Sequence, residues 1–162
     1  MHVSSRTRLA LLALAGLGAA TALAYPTDEK RVRKSADALI AAANVGDSAL
    51  VQALEAYAVE RVSVRVSELA EPLVGRAALV EAVREARKLE PQLHFQLDAV
   101  DVRVEGGRAR LEADVVTSVR PEVPELRRPR RSSAVFEKRG DTFRLVTAEV
   151  GGERLDQPEA RP

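Results

Sequence analysis

The sequence predicts an α+β fold: a curved, bulged, mostly antiparallel sheet wrapped around three N-terminal helices, preceded by an apolar N-terminal export or anchor segment. Two observations predict it. From Leu93 to Val119, two long alternating segments meet at Gly106-Gly107 and keep their apolar residues on one shared face. With the glycines at the centre of a tight turn, Val104 faces Ala109, Val102 faces Leu111 and Val100 faces Ala113, as a single buried sheet face requires. Leu93, Phe95 and Leu97 sit an odd number of positions from Val100, so a plain ladder would turn them to the opposite side. One extra residue at Asp98-Ala99, both opposite Asp114, restores them and pairs Leu97 with Val115, Phe95 with Thr117 and Leu93 with Val119. Such a strand bends and twists, and its concave sheet needs helices in the hollow. The second observation is that helical periodicity is confined to the segments before Pro91.

Thr27 is a good N-cap for the first helix. Asp28 and Glu29 suit the positive end of its dipole, and Val32, Ala36, Leu39, Ile40 and Ala43 form its apolar stripe. Gly46 ends it. Asp47 is expected to cap a second helix that carries Leu50, Leu54 and Ala58 and reaches about Val59. Val62, Val64 and Val66 alternate with Ser63, Arg65 and Ser67 as a strand buried on one side. Glu68 to Pro72 turns the chain, and a brief Leu73-Val74 strand leads into a third helix from about Arg76 to Leu89, stopped by Pro91. After the long hairpin, the three prolines between Arg120 and Arg130 mark a loop. A Gly140-Asp141 turn then pairs Phe136 with Leu145, Val135 with Val146, and Glu137 with Arg144.

Length and composition bound the rest. The chain has 162 residues, 46% apolar and 30% charged, which fits one globular domain. With 3% aromatic residues, its core must be built mainly from Leu, Val and Ala. Leu9 to Ala24 is an uncharged apolar run behind Arg6 and Arg8. It ends in Ala22-Leu23-Ala24, the small-x-small pattern of a cleavage site, so residues 1–24 read as a signal peptide. Extended through Tyr25 and Pro26, the same run approaches the spanning minimum of roughly 17 residues and reads equally as a retained transmembrane anchor with its amino terminus in the cytoplasm. Both readings place the domain, residues 27–150, outside the cytoplasm as a periplasmic, secreted or membrane-anchored protein. The last residues, 151–162, lack apolar periodicity and are expected to be disordered. The chain has no cysteine, which excludes disulfides and thiolate chemistry. Removing residues 1–24 leaves 23 basic against 24 acidic residues, a net charge of −1, so no polyanionic partner such as nucleic acid is indicated.

Helix, helix, short strand pair, helix and then four antiparallel strands with a bent first member is an order that resembles the nuclear transport factor 2-like superfamily. That superfamily includes the SnoaL-like and ketosteroid isomerase-like proteins. The resemblance covers about Thr27 to Val150. It is carried by Ala43-Asn44-Val45-Gly46-Asp47 before the second helix, Pro72-Leu73-Val74-Gly75-Arg76 opening the third, and Gly140-Asp141-Thr142-Phe143-Arg144-Leu145-Val146 leading into Thr147-Ala148-Glu149-Val150. It implies a cone, often dimeric through the outer sheet face. Members include isomerases, dehydratases, cyclases, hydrolases and many domains without chemistry, so the fold alone assigns no function.

Chemistry inside such a cone needs a general base and a polarising donor. The family's isomerase arrangement has a Tyr on the first helix and an acid on the first strand; here the first helix has no Tyr and the strand offers Ser63, Arg65 and Ser67. The weak catalytic candidates are His94, the sole histidine of the mature domain, which lies across from Ser118, and Asp98 at the bulge. Asp98 serves equally to satisfy unpaired backbone N–H groups there. Tyr57, Phe95 and Leu111 are candidates to line a pocket. No metal-ligand spacing or phosphate loop is present, and no cofactor is expected. Arg120, Arg127, Arg128, Arg130 and Arg131 read as a solvated loop that discourages edge pairing, with contact to anionic headgroups as the competing reading.

The expected role is therefore a non-catalytic binding or assembly module whose ligand is unknown. The expected partners are a second copy of the chain, a small apolar ligand, and a membrane if the N-terminal segment is uncleaved. A homodimer surface is expected on Val135, Val146, Ala148 and Val150, the second face of the final hairpin. The alternative is an isomerase, dehydratase or hydrolase with a pocket inside the cone.

Overall fold

The computed structural model describes residues 27–153. The export or anchor reading of residues 1–24 and the reading of the tail beyond Glu153 lie outside the described residues. Three helices, α1 (Asp28–Val45), α2 (Asp47–Tyr57) and α3 (Arg76–Leu89), accompany six strands. The strands are β1 (Ala58–Val66), β2 (Leu73–Val74), β3 (His94–Glu105), β4 (Arg108–Ser118), β5 (Arg128–Arg139) and β6 (Thr142–Glu153). They form one open sheet in the order β2-β1-β6-β5-β4-β3, with β1 parallel to β6 and every other neighbour antiparallel.

Local signals set most boundaries. The Thr27 side chain accepts the Lys30 N–H at the start of α1, and Gly46 closes the helix at φ 146°, a conformation that a Cβ disfavours. Asp47 is not the cap of α2, as expected, because Gly46 takes that position. Its carboxylate instead accepts from Arg84 of α3 at 2.7 Å. Helix α2 stops at Tyr57, two residues short of expectation, because Ala58 already belongs to β1 and pairs with Leu145. Strand β6 runs to Glu153, so Gly151 to Glu153 extend the sheet rather than starting the tail.

The β3–β4 hairpin turns on Gly106-Gly107 and keeps the expected pairs from Val104 with Ala109 to Val102 with Leu111, and from Leu97 with Val115 to Phe95 with Thr117. The extra residue falls one step later than expected. Asp98 alone faces Asp114, Asp101 faces Glu112, and Ala99 and Val100 together span Ala113. Ala99 adopts φ 50°, the conformation a bulge residue takes to bend its strand. At the foot of β5, Pro129 pairs with Val116 of β4. The last β5–β6 pair is Arg130 with Glu153, so Pro129 sits where β5 has no β6 neighbour among the described residues, which is how a proline fits this strand.

The β5–β6 hairpin departs more from expectation. Phe136 faces Leu145 and Glu137 faces Arg144, but Val135 faces Thr147 because Val146 is bulged out of register. Beyond it, Ala134 faces Ala148 and Ser132 faces Val150. Ala134 also faces the buried Leu111, and Ser132 the buried Ala113. Ala148 and Val150 therefore lie on the core side, and Val135 lies on the other side with Arg110 and Thr147. Val135, Val146, Ala148 and Val150 consequently do not make one dimer face.

The core fills the hollow between sheet and helices. Phe136 and Phe143, 2% and 0% exposed, meet Val32 of α1, Leu54 of α2, Val80 of α3 and Leu111 of β4. Burial of each phenyl ring contributes about 1.5–3 kcal/mol.

Candidate functional site

The inner surface of the sheet is packed. Leu111 is 3% exposed within the core cluster, making it a packing residue rather than the wall of an open cavity. Phe95 is half-buried against the same cluster, and Tyr57 is half-buried at the end of α2. The polar contact that organises this region comes from Asn44, near the end of α1. Its Nδ2 donates to the Phe95 carbonyl and its Oδ1 accepts the Phe95 N–H, both at 2.8 Å. Because β3 is an edge strand, these are backbone groups that no neighbouring strand satisfies, and the carboxamide substitutes for one.

His94 pairs with Ser118 as expected and is half-buried. His94, Gln96 and Asp98 alternate onto the outer face of β3, since a strand repeats every second residue. Four residues along a strand span about 13 Å, so His94 and Asp98 cannot exchange a proton directly. The Asp98 carboxylate does not bind the bulge backbone. Oδ1 accepts from Gln96 Nε2 at 2.7 Å and Oδ2 from Arg127 at 2.5 Å. Arg127 thereby folds the Arg120–Arg127 loop against β3. The arginine segment is not a solvated loop throughout: Arg128 to Arg131 belong to β5, Arg130 pairs with Glu68 at 2.6 Å, and Arg131 reaches Glu112 at 3.4 Å. The Glu68 carboxyl is held below its ordinary range, chiefly by the Ser67 hydroxyl's hydrogen bond and to a lesser extent by Arg130.

The more open ground is the outer face of the sheet. A shallow depression of about 440 Å³ runs across β4, β5, β6 and β1, with Arg110, Glu112, Ser133, Arg131, Glu149 and Arg65 along it. The register brings Glu112, Ser133, Glu149 and Arg65 side by side in one row. Glu112 is shared by Arg110 at 3.3 Å and Arg131 at 3.4 Å, and both arginines are more than 60% exposed. The face is thus a mosaic of both charges with short Ser and Thr side chains between them. Alternation makes the apolar half of each strand legible; of the outer half, only the second face of the final hairpin carries an expectation, and the charged row is not part of it. Its signal was the charge recurring at every second residue, Arg108, Arg110, Glu112 and Asp114 on β4. Among the described residues, no group of three or more histidine and carboxylate side chains is placed to hold a metal ion, and no helix is long and apolar enough to cross a membrane.

No family model matches the sequence, and no curated protein matches it. Solved structures do. An NTF2-like protein with a cystatin-like fold from Novosphingobium aromaticivorans is 24% identical over 91% of this chain and 93% of its own, with a TM-score of 0.67. A candidate dehydratase of the NTF2-like family from Streptomyces avermitilis is 16% identical over 78% of this chain and 97% of its own, with a TM-score of 0.61. A candidate calcium/calmodulin-dependent protein kinase type II association domain from Thiobacillus denitrificans is 22% identical over 79% and 96%, with a TM-score of 0.59. The architecture, an α+β cone with an unclosed, curved sheet, is the fold shared with these NTF2-like neighbours. At these identities the likeness extends to the fold alone.

Proposed function

We propose that this chain is a non-catalytic association module that works outside the cytoplasm and pairs with a second copy of itself through the outer sheet face. The observation that carries the reading is the contrast between the two sides of the sheet. The concave side is taken up by Phe136, Phe143 and Leu111, whereas the outer side is broad, shallow and patterned with both charges around Val135, Ser133 and Thr147. A face of mixed charge is self-complementary under a two-fold axis, where Arg65, Arg110 or Arg131 of one copy meets Glu112 or Glu149 of the other. The Thiobacillus denitrificans neighbour, described as an association domain, supports this use of the fold. The apolar run from Leu9 to Ala24 supports delivery across a membrane or retention at it.

Light scattering on the full chain tests the association. We expect the mass of two chains for the natural sequence and of one for Thr147→Arg, which places a long charged side chain in the centre of the face. A single-chain mass for the natural sequence overturns the association, and an unchanged mass for Thr147→Arg overturns the surface. Mass spectrometry of the mature amino terminus tests the location: a chain starting near Tyr25 is a cleaved export product, and an intact one is an anchored protein.

A second reading, an isomerase, dehydratase or hydrolase acting on a small apolar molecule, draws on the Streptomyces avermitilis neighbour and on the polar group of Gln96, Asp98 and Arg127. It requires His94 or Asp98 as base. Turnover of a small carbonyl compound that is lost in Asp98→Asn would favour it over the module.

A further inference from the structure

The outward stripe of α1 carries a basic group, Lys30, Arg33 and Lys34, behind its acidic first turn of Asp28 and Glu29. Lys30, Arg33 and Lys34 are exposed on the side of the helix opposite the buried Val32, Ser35 and Ala36. With Asp37, Ala38 and Ala41 they form a wide, open shelf of about 510 Å³. Lys30 and Lys34 make no ion pair among the described residues, and Arg33 reaches Asp37 at 3.8 Å with both groups more than half exposed. Within the shelf three cations stand against Asp37, and with the exposed Glu29 of the adjoining first turn counted the excess is one positive charge. The other basic cluster is already spent within the fold, since Arg127, Arg130 and Arg131 face Asp98, Glu68 and Glu112. Tyr25, Pro26 and Thr27 alone separate the uncharged run from the first residue of α1. Three extended residues reach about 10 Å, comparable with the Debye length of about 8 Å at physiological salt. When the run engages a bilayer, the first turns of α1 lie within the field of its headgroups.

We propose that this face of α1 docks on the headgroups of an anionic lipid bilayer and so sets the orientation of the cone on the membrane. The inference rests on the reading above that the N-terminal segment engages a membrane. Charge complementarity and the short tether select a lipid surface over a protein partner, because the shelf offers compact cations and small side chains without the aromatic anchors of a protein hot spot.

The chain contains no cysteine, so single cysteines can carry a fluorophore without side reactions. One label is placed at Ala41→Cys in the shelf and another at Glu71→Cys in the turn between β1 and β2. The full chain is mixed with vesicles of phosphatidylcholine alone or with 30% phosphatidylglycerol, and quenching by a headgroup-labelled lipid is read after flotation. We expect quenching of the Ala41→Cys label in the anionic vesicles, little quenching of the Glu71→Cys label, and a loss of about fivefold in the ratio of docked to undocked chain for each of Lys30→Gln and Lys34→Gln. Flotation with equal quenching of both labels, or quenching indifferent to phosphatidylglycerol and to the lysine substitutions, overturns the docking face and leaves membrane engagement standing. Failure to float with either vesicle overturns the engagement itself, and this inference with it.

Discussion

The two long hairpins obey the same rules and differ in how they break them. Both turn on glycine, both keep one apolar face, and both carry a bulge that changes which residues face inward. In β3–β4 the bulge is at Ala99, on an edge strand bent by a residue at φ 50°. In β5–β6 the register shifts twice, and the shift at Val146 lies in the middle of the sheet, where no positive φ is used and the strand slips by one residue to meet β1. A bulge is therefore a local device at the edge and a register adjustment at the centre.

The contrast is sharpest in packing. Phe136 of the central hairpin is 2% exposed, so Phe136→Ala should cost about 3–5 kcal/mol of unfolding free energy. Phe95 of the edge hairpin is half-buried, and Phe95→Ala should cost roughly half of that. Urea denaturation reads both, and equal losses would show that edge and centre contribute alike.

At Phe95 the edge is covered by the side chain of Asn44. Asn44→Ala leaves the Phe95 N–H and carbonyl without their partner, at an expected cost of about 1–3 kcal/mol. Hydrogen exchange of the Phe95 amide should accelerate while amides of β5 stay protected. Unchanged exchange would mean that the edge is covered in some other way.

The bulges themselves respond in opposite directions to glycine. Ala99→Gly should stabilise by up to about 1 kcal/mol, because it relieves a left-handed alanine. Val146→Gly should destabilise by about 1 kcal/mol, because the backbone there has no positive φ to relieve. Shifts of the same sign in thermal unfolding would break the distinction drawn between the two.

Acid produces the smallest effect. The carboxyls of Glu68 and Glu85 lie below their ordinary values, mainly through hydrogen bonds from Ser67 and Lys88 respectively. A depressed pKa in the folded state makes their contribution complete above the ordinary carboxylate value of about 4.3 and removes it as the pH falls through the folded value. The urea midpoint should therefore drop slightly between pH 7 and pH 3, and the drop should be smaller in the double variant Glu68→Gln and Glu85→Gln.

These comparisons also explain what could be read from the residues alone. The break in parity between Leu97 and Val100 announced a bulge because every alternative put three large apolar groups in water. The same break occurs between Leu145 and Ala148, but Val135, Val146, Ala148 and Val150 are small enough that alternation alone suggests a second apolar face instead of a slip. Alternation constrains register only as strongly as the side chains on the wrong side would suffer. Asn44 belongs to a helix-breaking run in the sequence, yet its clamp on Phe95 bridges 51 positions and has no local signature. The ion pairs of Arg127 and Arg130 were invisible for the same reason, since Asp98 and Glu68 come from distant parts of the chain. On the outer face, alternating charges marked a solvent-facing surface; the row joining β4 to β1 required the strand order.

That order places the first long strand beside the last. Ala58 to Val66 find their parallel neighbour in Leu145 to Val150, so β1 cannot join the long strands until β6 has been made. Pairings this remote in sequence are slow to form. Until β6 is in place, β1 and the short β2 stay a separate pair, and the chain relies on β3, β4 and β5 alone for its sheet.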